Sequence, residues 1–157
     1  MDGRVARRAL VVAVVAACHG VAAGQSESMA EVPKLRVSLK DSDAAKRAAA
    51  ARLLGEIGAP AKEAVPDLAD ALKDPEPAVR QNAAKALGDI GPSSSAAVGP
   101  LIVLLGDHDW QIRRAAAYAL GRIGSPEAEK PLKAARKDSN ETVRDAAKAA
   151  LKQLKHH

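Results

Sequence analysis

A chain of 157 residues with no phenylalanine, one tryptophan and one tyrosine cannot build a deep core around aromatic side chains. Its interior has to come from alanine, leucine, valine and isoleucine, which suits thin elements packed closely. One cysteine excludes an internal disulfide, and 24 Lys and Arg against 19 Asp and Glu, a net charge of +5, describe a mixed-charge solvated surface that calls for no polyanionic partner.

The start of the chain stands apart from the rest. Arg4, Arg7 and Arg8 form a basic opening. Ala9 to Ala17 is an apolar run of nine, too short to span a bilayer as a helix, and small residues follow. That order predicts a secretory signal peptide over 1–24, with cleavage near Ala23 or Gly24. A buried core helix is the alternative, but nothing here follows the periodicity of the later chain. Val15-Ala16-Ala17-Cys18 resembles a bacterial lipobox, whose cysteine becomes the lipid-bearing first residue. In that case the signal covers 1–17 and Cys18 is a membrane tether. Arg7-Arg8 matches a twin-arginine signal only weakly. The expected location is therefore outside the cytoplasm: periplasmic, membrane-anchored as a lipoprotein, or secreted. Loss of residues 1–24 removes three Arg and one Asp and leaves the mature chain less basic. Residues 25–31, Gln-Ser-Glu-Ser-Met-Ala-Glu, read as a polar tether.

From residue 32 onward the chain repeats itself. Leu53-Leu54-Gly55-Glu56-Ile57-Gly58 returns as Ala86-Leu87-Gly88-Asp89-Ile90-Gly91 and again as Ala119-Leu120-Gly121-Arg122-Ile123-Gly124, 33 residues apart both times. A second phrase keeps step. Asp41, Asp74, Asp107 and Asp138 each stand six residues before an arginine: Arg47, Arg80, Arg113 and Arg144. Val79, Ile112 and Val143 precede three of those arginines. A fixed period of this size predicts a solenoid, in which each unit buries its apolar face only against its neighbours. Four units fit, near 32–58, 65–91, 98–124 and 129–154.

Each unit reads as two helices. In the second, Pro66 to Lys73 forms the first helix, with Leu68 and Leu72 on one face. Asp74-Pro75-Glu76-Pro77 breaks it. Val79, Ala83, Leu87 and Ile90 then trace one stripe of a second helix, which Gly91-Pro92 stops. Leu39, Leu53, Leu54, Leu68, Leu72, Leu87, Leu101, Leu105, Leu120 and Leu151 are the expected centre. No strand alternation competes, so the fold class is all-α.

The Asp and Arg of each unit, the apolar residue before Arg, and the Ala-Leu-Gly-x-Ile-Gly ending resemble HEAT repeats, closely the short bacterial HEAT-like type. The resemblance covers about 32–154. It implies a right-handed α-solenoid of four helix pairs whose second helices line a concave surface. It fits many unrelated binding roles. Ankyrin and tetratricopeptide signatures are absent.

The Asp–Arg phrase has its own physical reading. Each aspartate can cap the following helix, and each arginine can fork onto that carboxylate or the next unit's. Asp41, Arg47, Asp74, Arg80, Asp107, Arg113, Asp138 and Arg144 thus form a structural ladder. Their recurrence argues against catalysis, because a site occurs once and a scaffold device in every unit.

Aligned units give outward columns on the second helices: Arg52, Lys85, Tyr118, Ala149; Glu56, Asp89, Arg122, Gln153; and Ala48, Gln81, Arg114, Asp145. Arg114, Tyr118 and Arg122 lie four apart on one face, and Tyr and Arg are enriched at binding hot spots. Arg52, Lys85, Arg114, Tyr118 and Arg122 are the expected contacts for a protein or peptide partner. The alternative is that Tyr118 packs on its neighbours and the arginines are solvated or paired, for instance with Asp89. Trp110 is expected to cover the unit beneath it. His108, between Asp107 and Asp109 on a tight turn, does not make a metal site. His156 and His157 read as frayed.

No nucleophile–base pair, phosphate loop or metal-ligand pattern is present, so neither catalysis nor a cofactor is expected. The expected function is an exported, monomeric, non-catalytic interaction scaffold. A small cofactor-associated or lyase-like enzyme and a nucleic-acid-binding solenoid are the alternatives; Glu56 and Asp89 interrupt the basic columns, which argues against nucleic acid. Lys34, Arg36, Ser38 and Lys40 at one end, and Lys148, Lys152, Gln153 and Lys155 at the other, read as polar caps on a complete stack, with Lys152 in place of the usual glycine.

Overall fold

The computed structural model describes residues 22–156. Cys18 and residues 1–21 of the segment expected to be a signal peptide lie outside the described residues. The four units appear as helix pairs in chain order. Unit one is α1 (Ala22–Ser38) and α2 (Ala44–Ile57). Unit two is a 3₁₀ turn (Ala59–Ala64), α3 (Val65–Ala71) and α4 (Pro77–Ile90). Unit three is a 3₁₀ turn (Gly91–Ala97), α5 (Val98–Leu104) and α6 (Trp110–Ile123). Unit four is a 3₁₀ turn (Pro126–Ala128), α7 (Glu129–Ala135) and α8 (Glu141–Leu154). The described residues contain no strand, and the architecture is an all-α solenoid.

The second helices carry the stack. α2 packs on α4, α4 on α6 and α6 on α8, while α1, α3 and α5 each rest on the 3₁₀ turn of the following unit. The two glycines of the repeated phrase serve different ends. A Cβ on Gly55, Gly88 or Gly121 would stand 3.0, 2.9 or 2.7 Å from the Cα of Ala86, Ala119 or Ala150. Bare backbone at these three positions lets consecutive second helices close on one another. The later glycines, Gly58, Gly91 and Gly124, have φ of 70, 78 and 78°, where a side chain would be strained, and they end the second helices. Leu54, Leu68, Leu87, Leu101, Leu120 and Leu132 are fully buried along the axis, as the repeat pattern requires.

Four expectations change. Residues 25–31 lie within α1 and are helical instead of extended. The first helix of unit two runs Val65–Ala71 and is entered through a kinked 3₁₀ turn. Leu53 is 36% exposed and is no part of the centre, because its counterparts Ala86 and Ala119 face a preceding second helix and α2 has none. Leu105 and Leu151 are half-buried, packed against the core from its edge.

The ladder aspartates do not cap the second helices, either. Asp41, Asp74, Asp107 and Asp138 each accept the backbone N–H two residues on, closing the turn between the helices. The caps are the residues so held: Asp43, Asp109 and Asn140 accept from Ala45, Gln111 and Thr142. In unit two Glu76 takes that place without a side-chain bond, and Pro77 begins the helix.

Candidate functional site

The ladder fixes how the units face one another. Arg47 donates from Nη1 to the carbonyls of Asp41 and Ser42 in its own turn, and its Nε and Nη2 fork onto Asp74 of the next unit at 2.7 and 2.9 Å. Arg80 does the same toward Asp107 at 3.0 and 3.5 Å, and Arg113 toward Asp138 at 2.8 and 2.9 Å. The guanidinium of Arg47 holds the Asp74 carboxyl below the ordinary carboxylate range, and Arg113 does so for Asp138, in each case against the upward push of burial. Burial is the largest influence on Asp107, and the N–H of Asp109 with Arg80 outweighs it. Among the described residues Arg144 makes only the two bonds to its own turn.

The sequence reading missed a further rung on the first-helix side. Arg36 Nε meets Asp67 Oδ2 at 2.6 Å and Lys40 Nζ meets Oδ1 at 3.0 Å. Two residues of the expected N-terminal polar cap are therefore tied to unit two. An aspartate beside the core residue Leu68 was the available signal.

Stacking of α2, α4, α6 and α8 brings the expected contact residues to one surface, in three different states. Arg52 is paired with Glu56 on its own helix. Lys85 donates to Asp89 Oδ2 at 3.0 Å. Tyr118 donates its hydroxyl to Asp89 Oδ1 at 2.6 Å, reaching back one unit. Its ring lies against the bare backbone of Gly88, where a Cβ would stand 2.9 Å from Cε1. Burial raises the Tyr118 pKa and the Asp89 hydrogen bond raises it further, so the phenol stays a neutral donor. Asp89 is thus the anchor of the surface; sequence reasoning placed it as an interruption in a basic column and as a partner for the arginines, not for Tyr118.

Arg114 and Arg122 are exposed and form no ion pair among the described residues. With Lys85, Arg114 and Tyr118, Gln81, Ala115 and Ala146 line a cleft of about 290 Å³ between α4, α6 and α8. Its walls are apolar at the base and cationic at the rim. Arg52 lies outside it. Trp110 heads α6 and is 38% exposed. No group of three or more His, Cys, Asp and Glu side chains converges among the described residues.

Helix pairs stacked through a repeated ion-pair ladder, with side chains offered from one row of second helices, define an α-solenoid repeat protein. The chain belongs to the HEAT-repeat family: the family model described as HEAT repeats matches residues 32–98 and 92–152. No curated protein matches the chain. Among solved structures it is similar to the complex of CpcE and CpcF of phycocyanin lyase from Nostoc sp. PCC7120, at TM-score 0.69 and 25% identity, covering 93% of this chain and 98% of that one. Human deoxyhypusine hydroxylase is similar at TM-score 0.66 and 28% identity, over 80% of this chain and 44% of that one. A designed armadillo repeat protein in complex with the peptide (KR)4 is similar at TM-score 0.65 and 21% identity, over 76% of this chain and 62% of that one. The chain spans less than two thirds of each of the last two.

Proposed function

We infer that this chain is a non-catalytic interaction scaffold that holds a protein or peptide partner against the second-helix surface of units two to four. The observation that carries the reading is the state of Arg114 and Arg122: two guanidinium groups on one helix face, with no ion pair among the described residues, on either side of a tyrosine already fixed by Asp89. A fixed aromatic flanked by unpaired arginines loses little freedom on contact, and that is the composition of an interface hot spot. The designed armadillo relative is named for a peptide complex and the phycocyanin lyase relative for a complex of two chains, which supports a macromolecular partner here. The hydroxylase and lyase among the similar structures keep an enzymatic reading alive as the alternative.

The scaffold acts outside the cytoplasm, by the basic and then apolar composition of residues 1–24, with Cys18 as the candidate lipid tether. Intact mass from a bacterial host, in wild type and Cys18→Ser, separates the possibilities. A mass starting at Cys18 with acyl groups, lost in the variant, means a membrane-tethered scaffold; one starting near Gly24 or Gln25 in both means a soluble exported module.

The surface itself is tested by placing a photo-crosslinking residue at Arg122, and in a second variant at Val103, which is 75% exposed on α5 away from the second helices. Partner adducts from position 122 that vanish on Tyr118→Ala, with the helical circular dichroism unchanged, support the reading. Equal adducts from position 103 sink it.

A further inference from the structure

Three of the four ladder arginines show what this arginine is built to hold. Arg47, Arg80 and Arg113 each keep Nη1 on two carbonyls of their own turn and turn the Nε–Nη2 edge onto an aspartate of the following unit. Arg144 keeps the first half of that arrangement, donating to Asp138 O and Ser139 O at 2.9 Å each. Its guanidinium is therefore held as the others are, and its Nε–Nη2 edge meets no acceptor among the described residues. A rigid, oriented fork with the geometry of a bidentate carboxylate receptor stands open at the far side of unit four.

The seat beside it is open too. In units one and two the groove between the two helices holds the 3₁₀ turn of the next unit, and in unit three the first helix rests on it. In unit four the groove between α7 and α8 is a cleft of about 510 Å³, with Leu151 and Leu154 in its wall. Apart from Gly124 and Pro126, its other lining is charged where unit three is apolar. Glu129, Lys133 and Arg136 occupy the positions of Val98, Ile102 and Leu105. On α8, Lys148 and Lys152 stand where Ala117 and Gly121 stand one unit earlier. A second copy of this chain cannot close there as a fifth unit would, because Lys148 and Lys152 fill the place that Ala117 and Gly121 leave open for α8 one unit earlier. Among the described residues only two carboxylates answer these cations, Glu129 to Lys133 and Asp145 to Lys148.

From the open fork, the apolar seat and the excess of positive charge, we propose that the outer face of unit four docks a short helical segment of an acidic partner protein, with an aspartate at a helix-ending turn taken by Arg144. The site is separate from the second-helix surface and does not depend on it.

The chain itself supplies a probe. A peptide of residues 59–77 contains a 3₁₀ turn, a first helix and Asp74, the aspartate that Arg47 grips, and it carries five acidic residues against two lysines. It is titrated into the full-length ¹⁵N-labelled protein, and the arginine Nε–Hε signals are followed. The Arg144 signal is assigned by its loss in Arg144→Lys, which keeps the charge but not the fork. The expected result is a shift of the Arg144 signal toward those of Arg47, Arg80 and Arg113, with at least tenfold weaker binding of the Asp74→Asn peptide and of the Arg144→Lys protein. An equal shift with the Asp74→Asn peptide or with inorganic phosphate overturns the proposal, since the fork is then a general anion site. So does a shift confined to Arg114 and Arg122, an unmoved Arg144 signal at millimolar peptide, or sedimentation showing that Arg144 is occupied by a second copy. None of these bears on the crosslinking at position 122.

Discussion

Arg113 meets Asp138 side-on across the boundary between units three and four, with Nε and Nη2 on the two carboxylate oxygens at 2.8 and 2.9 Å. The same guanidinium also staples its own turn through Nη1. One side chain therefore sets both the shape of a unit and its register with the next.

Arg113→Ala removes both roles and leaves Asp138 mostly shielded from water with its strongest partner gone. The expected loss is about 2 kcal/mol, at the lower end for charged hydrogen bonds because the pair keeps some contact with solvent. Arg144→Ala removes only the staple, so its cost is smaller. Urea denaturation of both variants checks the order; equal losses would show that the inter-unit fork adds nothing.

The ladder also sets an acid limit. Asp74 and Asp138 have lowered pKa values, held down first by Arg47 and Arg113. A carboxylate with a folded value below its unfolded one stabilises fully above the unfolded value, near pH 4, and loses that contribution as pH falls through the folded one. The urea midpoint is expected to hold from pH 7 to 5 and to fall below about pH 4. Asp74→Asn with Asp138→Asn lowers the midpoint at pH 7 and flattens the acid decline; an unchanged slope would place the acid sensitivity elsewhere.

The two glycine environments predict opposite signs. Gly121→Ala puts a Cβ 2.7 Å from both Cα and Cβ of Ala150, and the α6–α8 contact has to open. A loss of about 1–3 kcal/mol is expected, as for overpacking in a core. Gly106→Ala, in the turn after α5, meets only Val103 O at an ordinary 3.5 Å, stands where Lys40, Lys73 and Lys137 stand in the other units, and is expected to stabilise by about 0.5–1 kcal/mol through the unfolded chain. Thermal melts of the two variants moving in the same direction would contradict the packing described.

Ser94 is a misfit inside the repeat. Its side chain is fully buried and its Oγ has no hydrogen-bond partner. Its counterpart one unit earlier, Ala61, is equally buried. Ser94→Ala is expected to raise stability by about 1 kcal/mol, the typical cost of a buried unpaired hydroxyl. A destabilised variant would mean that the hydroxyl is satisfied in solution.

The repeat, the all-α class and the Asp–Arg phrase were legible in the sequence, because a motif recurring every 33 residues, and after 31 in the last step, is local information copied along the chain. The sequence also placed Tyr118 between Arg114 and Arg122 on one helix face, since helical spacing alone decides that. Tertiary structure decided what these groups do. Whether Arg47 turned to its own Asp41 or to Asp74 depended on how close the next unit came, and Gly55 against Ala86 set that distance. Asp89 became the anchor of Tyr118 because stacking brought Gly88 under the ring. Leu53 left the core for the converse reason: no second helix precedes α2, and a side chain is buried by its neighbours, not by its own place in the pattern.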